Sequence, residues 1–130
     1  MRLDLTSSLL AIALLVLFSC SKDDDSSTSI TDFIGTYSVM EVCDGDNYTY
    51  NITITQVGTD DETIQIFNLW DWQESVAAKI DNNKISIESQ VLDGVTFSGS
   101  GSLSDNTLTI DYTTIDGNIN ETCQAICEKQ

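Results

Sequence analysis

Alternation of apolar and polar side chains dominates the chain from residue 33 onwards. In the run Tyr48–Thr55, two tyrosines and two isoleucines alternate with three threonines and an asparagine. A period of two is typical of a half-buried strand and does not fit a helix. The same alternation returns at Ile85–Ile87, Val95–Ser98 and Leu108–Tyr112. We therefore expect an all-β domain.

Polar segments rich in Asp, Asn and Gly separate these runs. Asn82-Asn83 and Asp93-Gly94 suit tight hairpins because these residues tolerate positive φ. The predicted strands are 34–43, 48–58, 63–67, 75–81, 84–91, 95–103, 107–114 and 120–129. Consecutive hairpins predict an eight-stranded antiparallel up-and-down meander, which removes its edges by closing into a short lipocalin-like barrel.

An eight-stranded barrel has room inside for its own side chains or for one small ligand. Because the predicted strands are short, we expect the interior to be mostly filled. The candidate interior residues are Tyr48, Tyr50, Ile52, Ile54, Ile85, Ile87, Phe97 and Ile110. Gly99 and Gly101 lie on the face of Phe97, where glycine permits sharp curvature or a close backbone approach.

The N-terminal segment has a different pattern. Arg2 precedes Leu9–Phe18, an uninterrupted apolar run of ten residues. This run is too short to span a bilayer, which needs roughly 20 residues, but it suits the apolar region of a secretory signal. We predict that residues 1–19 are a signal peptide.

The run Leu17–Cys20 resembles the bacterial lipobox. The resemblance implies that Cys20 becomes the mature N-terminus and carries diacylglycerol and an amide-linked acyl chain such as palmitate. Two or more acyl chains give stable membrane anchoring. A cysteine with no lipid in a secretory segment is the alternative.

The residues that follow, Ser21–Asp25, resemble the acidic export tag of surface lipoproteins in Bacteroidetes-type bacteria. The resemblance implies an outer-membrane lipoprotein that faces the cell exterior. A charged linker is the alternative interpretation. We expect residues 20–32 to form a flexible acidic and Ser-rich tether.

Residues 33–130 resemble the small lipocalin-like lipoprotein domains of these bacteria. The resemblance rests on Phe33–Tyr37, Val95–Gly101 and Leu108–Tyr112. It implies a β-barrel scaffold and no catalytic signature. Lipocalins have Gly-x-Trp at the opening, and Tyr37 stands where the Trp would be, so we do not expect a deep calyx.

The composition excludes several classes of function and partner. The net charge is −16, with 21 acidic residues against five basic ones, so nucleic acid is not an expected partner. The same charge makes copies repel each other, and we expect a monomer. The chain contains no His, which excludes Ser-His-Asp catalysis and imidazole metal ligands. We expect no enzyme activity, no cofactor and no metal centre.

Three cysteines remain in the domain. Cys123 and Cys127 cannot pair on one extended strand, because four residues span about 13 Å and disulfide Cα atoms lie about 4.4–6.8 Å apart. In a closed meander, the end of the first strand lies beside the start of the last. We therefore expect Cys43–Cys123, which leaves Cys127 as a buried thiol, with Cys43–Cys127 as the alternative.

The segment Asn68–Glu74 interrupts the strand pattern and contains both tryptophans of the chain. Trp70, Asp71 and Trp72 are the candidate ligand-binding residues: aromatic faces on a rim loop suit sugars and other ligands with an apolar face. The alternative is that one Trp plugs the barrel end. This alternative is favoured because large aromatic side chains are usually mostly buried.

The acidic turns also suggest calcium. Asp116–Cys127 begins like an EF-hand loop, but Glu121 stands where that loop needs Gly and Cys127 where it needs Glu. An EF-hand is therefore excluded. A weak calcium site stays open as an alternative to turn formation, and its candidate residues are Asp44, Asp46, Asp60, Asp61 and Asp116.

Three function classes remain, of which the least expected is an enzyme that uses carboxylates, which would need two or more carboxyl groups converging in a cleft with perturbed pKa values. We expect an anchored module that binds a small molecule or a glycan. The alternative is a structural or protein-interaction lipoprotein of the envelope, which predicts a sealed barrel and a contiguous apolar patch on its outer face.

Overall fold

The alternating runs fold as strands in the computed structural model, which describes residues 28–130. The strands are β1 Gly35–Cys43, β2 Asp46–Gln56, β3 Thr63–Phe67, β4 Ser75–Asp81, β5 Lys84–Leu92, β6 Val95–Ser104, β7 Thr107–Asp116 and β8 Ile119–Lys129. No observed strand end differs from the predicted one by more than two residues. A single helical turn, α1 (Ile30–Phe33), precedes the strands, and a short 3-10 turn, Leu69–Asp71, lies between β3 and β4.

The strands form a closed barrel in which each pairs antiparallel with its neighbours in sequence, and β8 returns to pair with β1. The closing register runs from Tyr37 opposite Lys129 to Cys43 opposite Cys123. This confirms the predicted all-β, eight-stranded up-and-down barrel.

Side chains fill the barrel. Of the predicted interior residues, only the two tyrosines nearest the start of β2 are not fully buried: Tyr50 is half-buried and Tyr48 is 45% exposed. The largest fully buried side chains are Phe33, Tyr37, Ile52, Ile54, Ile64, Ile66, Leu69, Phe97, Leu108, Ile110 and Tyr112. The expectation of a short, mostly filled barrel agrees with this packing.

Two glycines of β6 allow the sheet to curve tightly. A Cβ on Gly99 would lie 2.6 Å from the Cα of Tyr112, and a Cβ on Gly101 would lie 2.6 Å from the carbonyl oxygen of Thr109. Because Cβ atoms do not approach backbone atoms so closely, only glycine allows β6 to pair this closely with β7 at these points. The predicted close backbone approach is thus present.

The β4–β5 seam is the weakest part of the ladder. Direct pairing covers only Lys79–Asp81 of β4, and the register of β5 shifts between Ile87 and Gln90. Beyond the paired part, the side-chain amide of Gln90 donates to the carbonyl of Ala77 and accepts from its N–H, both at 2.9 Å. One amide side chain therefore replaces a peptide group and keeps the barrel wall continuous.

The barrel has two distinct ends. The tryptophan end consists of the β1–β2, β3–β4, β5–β6 and β7–β8 connections, and the β3–β4 connection holds Trp70 and Trp72. The helix end consists of α1, the other three connections and the C-terminus. Both ends of the described segment, residues 28 and 130, lie there, and the N–H of Gln130 donates to the carbonyl of Thr36 at 2.9 Å.

Helix α1 closes the helix end. Phe33 is fully buried, and its carbonyl accepts a hydrogen bond of 2.8 Å from the hydroxyl of Tyr37. Ile30 is also buried, and Lys129 donates to the carbonyl of Asp32 at 2.8 Å. The predicted boundary between tether and domain at residue 33 is therefore corrected: residues 30–32, assigned to the tether, belong to the barrel.

The predicted signal peptide 1–19, Cys20 and the predicted tether up to residue 27 lie outside the described residues. Among residues 28–130, no helix has the length and apolarity that crossing a membrane would require.

Candidate functional site

An acidic side chain lies inside the barrel near the tryptophan end. Tyr37, Val39, Glu41 and Cys43 are the inward-facing residues of β1, and Glu41 is only 2% exposed. Glu41 is not among the candidate residues predicted from the sequence. The alternation that defines β1 contains the signal, because every second residue from Tyr37 must face inwards and Glu41 is one of them.

Tyrosine hydroxyls surround this carboxyl group. Tyr112, on the inner face of β7, donates a hydrogen bond to Oε2 of Glu41. Burial raises the pKa of Glu41, and the negative charges of Glu121 and Asp71 raise it further, whereas the hydroxyls of Tyr112 and Tyr50 act in the opposite direction. Burial likewise raises the pKa of both tyrosines, so their hydroxyls stay protonated as donors.

The β3–β4 loop lies over this group in an unusual backbone conformation. Asn68, Trp70 and Asp71 have φ angles of 77°, 67° and 52°. Positive φ is costly for a bulky residue such as Trp and requires compensating contacts. The N–H of Trp70 donates to the hydroxyl of Tyr50 at 2.9 Å, and the side-chain amide of Asn68 donates to the carbonyl of Asn51 at 2.8 Å.

The ring of Trp70 is fixed on several sides. Its Nε1 donates to Oε1 of Glu121 at 2.9 Å. Its centroid lies 5.9 Å from that of Phe97 in an edge-to-face arrangement and 5.4 Å from that of Trp72. The ring is half-buried, so it covers the barrel core and also contributes to the surface.

A surface depression, which we call the recess, opens beside Trp70 with a volume of about 300 Å³. It is lined by Glu41, Tyr48, Trp70, Asp71 and Glu121. This volume is at the lower limit of small-molecule sites, roughly 300–1,000 Å³. The recess thus combines two aromatic rings with three carboxyl groups.

The structure brings together two of the three predicted ligand-binding residues. Trp70 and Asp71 line the recess, whereas Trp72 packs against Trp70 and borders a separate, shallower depression with Gln73 and Glu74. Tyr48 and Glu121 were missed, because only the three-dimensional pairing of β1 with β2 and β8 places them beside the β3–β4 loop. Binding by Trp70, Asp71 and Trp72 stays a prediction.

The predicted disulfide is present. Cys43 and Cys123 are bonded with their Cα atoms 4.1 Å apart, which excludes the alternative Cys43–Cys127 pairing. Cys127 is a buried free thiol, as expected, and burial raises its pKa to about 12. Such a thiol is not reactive near neutral pH.

A carboxylate oxygen of Glu41 and the sulfurs of Cys43 and Cys123 lie within 4.8 Å of one another. Because the two sulfurs are bonded to each other, neither is a thiolate that could ligate a metal ion. This cluster is therefore no metal centre.

The acidic turn residues considered for calcium do not meet. Asp44, Asp46 and Asp116 lie at the tryptophan end, whereas Asp60 and Asp61 lie at the helix end. The Asp60 carboxylate accepts from the N–H of Glu62 and the hydroxyl of Thr63, both at 2.8 Å, and these bonds lower its pKa. Asp60 therefore has a structural role in its turn.

Comparison with known proteins agrees with the β-barrel fold. A solved redesigned β-barrel is similar to this chain with a TM-score of 0.57 and 13% sequence identity, over 78% of this chain and 94% of that one. At such low identity the likeness concerns the fold alone. No protein-family model matches the sequence, and the comparison with curated proteins gives no match either.

Proposed function

We propose that the protein is a membrane-anchored, surface-exposed lipoprotein whose barrel binds a small molecule or a glycan at the tryptophan end. The recess carries this proposal, since aromatic rings beside hydrogen-bonding groups form the common lining of small-ligand sites. The strained conformation of Trp70 supports it further, because strain of this kind clusters at ligand sites.

The direction in which the chain enters the domain fits an anchored role. Thr28 lies at the helix end, where it borders one depression with Asp61 and Asn82 and another with Asp105 and Lys129. A lipid on Cys20 would therefore hold the helix end towards the bilayer. The recess would then face away from the membrane and be open to ligands.

The anchor is tested with Cys20→Ala in a detergent phase-separation assay. The wild-type protein should enter the detergent phase and incorporate labelled palmitate, and the variant should do neither. Cys127→Ala is the matched control and should behave as wild type. A Cys20→Ala protein that still enters the detergent phase would contradict lipid anchoring.

Ligand binding is tested with a panel of glycans and small molecules, read by tryptophan fluorescence on fragment 26–130, which contains every residue of the barrel. A ligand of the recess should change the emission of Trp70. Lack of response to the whole panel would count against this function.

A second candidate function is docking of another envelope protein on the barrel wall. Met40 and Ile126 are directly paired on the outer face of β1 and β8 and are 67% and 39% exposed. Val42 extends this patch along β1. If docking is the function, Met40→Ser with Ile126→Ser should abolish cross-links to other proteins in intact membranes and leave ligand binding unchanged.

A further inference from the structure

Positive charge is distributed unevenly between the two ends of the barrel. Three of the four connections at the tryptophan end carry an acidic residue, Asp44, Asp71 and Asp93, and Asp116 is the last residue of β7 before the fourth. Within residues 28–130 the basic residues are Lys79, Lys84 and Lys129, and all of them lie in the half of the barrel towards the helix end. The tryptophan end therefore has a negative potential that no nearby cation offsets.

The recess concentrates this charge. Three of its five lining residues are acidic, and one of these, Glu41, is buried. Burial is the main cause of the raised pKa of Glu41, and the charges of the other two, Glu121 and Asp71, raise it further. No basic residue lines the recess to offset this negative charge. A positive charge placed in the recess would relieve this repulsion.

The aromatic lining favours the same kind of ligand. Tyr48 and Trp70 border the recess, and cations are attracted to the faces of aromatic rings, most strongly to that of Trp. A neutral sugar would gain packing against the rings and hydrogen bonds to the carboxyl groups but no attraction between charges, and an anion would be repelled. An organic cation would gain from both the rings and the carboxylates.

We propose that the recess binds a small organic cation, with the ammonium group of the ligand between Tyr48 and Trp70 and facing the carboxyl groups of Glu41 and Glu121. This inference rests on the proposed ligand-binding function and names its ligand class. The negative potential of the whole tryptophan end would raise the association rate of such a ligand and make it depend on salt.

The test compares two probes of nearly the same shape. Choline carries a trimethylammonium group, and 3,3-dimethylbutan-1-ol replaces its nitrogen with carbon and is neutral. Full-length protein in non-ionic detergent is titrated with each at matched ionic strength, by tryptophan fluorescence and calorimetry. We expect choline to saturate the protein and the neutral alcohol to bind at least about tenfold more weakly.

A pair of variants locates the site. Glu121→Gln removes one charge from the recess but keeps an oxygen that can accept the hydrogen bond of Trp70 Nε1. It should weaken choline binding about tenfold. Asp116→Asn removes one charge from an exposed turn at the same end, outside the recess, and should change the affinity less than about twofold.

The remaining outcomes distinguish the organic-cation inference from the proposed ligand-binding function. Equal binding of the two probes, or binding of neutral glycans but not of choline, would overturn the organic-cation inference and leave ligand binding standing. Saturation by calcium chloride but not by choline would indicate that the acidic residues bind a metal ion. That result would also overturn the organic-cation inference. No response to choline, the alcohol, calcium or any glycan would overturn both.

Discussion

At the helix end a single helical turn inserts Phe33 into the barrel, whereas at the tryptophan end a loop with three positive-φ residues covers a buried carboxyl group. The helix end obeys the ordinary rules of packing. At the tryptophan end, moreover, Asn68 Oδ1 and Trp72 Nε1 are buried without a hydrogen-bond partner among the described residues. Violations of local rules are expected where function resides, so the contrast supports the proposal that the tryptophan end binds a ligand while the helix end stabilises the fold.

Removal of the disulfide should give the largest effect and would break the tryptophan end first. Cys43→Ala with Cys123→Ala opens a loop of 80 residues and should lower the free energy of unfolding by about 4 kcal/mol in the chain-entropy model. Denaturant unfolding measures this loss. Cys127→Ala, the matched control, should cost about 1 kcal/mol. A similar loss in both would refute the structural role of the bond.

Truncation of the plug at the helix end should have the next largest effect. Phe33→Ala removes a fully buried ring and should cost about 3 kcal/mol, since the end of the barrel can partly collapse around the gap. Thermal unfolding measures this loss of stability. Ligand binding at the opposite end should stay unchanged while the protein is folded. If affinity falls with stability, the two ends are coupled and the assignment of separate roles is wrong.

The smallest expected effect is on the pH dependence of stability, through Glu41 at the tryptophan end. Because the pKa of Glu41 is raised in the folded state, its contribution to stability is complete below the unfolded pKa of a glutamate and is lost as pH rises through the folded pKa. Glu41→Gln keeps an acceptor for Tyr112 and removes the titration. The variant should therefore gain stability relative to wild type as pH rises through that range.

The measurement is denaturant unfolding of both proteins across the acidic to neutral range. A constant difference between wild type and Glu41→Gln at every pH would contradict a raised pKa at Glu41.

The barrel and its disulfide could be predicted from the sequence because both follow from short-range patterns. Alternation defines each strand, turn residues separate the strands, and closure of a meander places Cys43 beside Cys123. Glu41 could have been found in the same way, from its inward position between Val39 and Cys43.

The recess could not be predicted, because its parts are distant in the chain. The N–H of Trp70 and the hydroxyl of Tyr50 are 20 residues apart, and the indole of Trp70 and the carboxylate of Glu121 are 51 residues apart. These tertiary hydrogen bonds hold the positive φ of Trp70 against its intrinsic preference. Helix α1 was missed for a related reason: four residues carry too little periodicity to indicate a helix.

The even number of strands has a consequence for how such a protein can diversify. With eight strands, both ends of the barrel segment emerge at one end, and the opposite rim is made only of hairpin connections. Insertions in those connections would therefore alter what the rim recognises without disturbing the attachment of the chain. The architecture is a modular scaffold, in which loops grafted on the rim could change specificity while the wall stays the same.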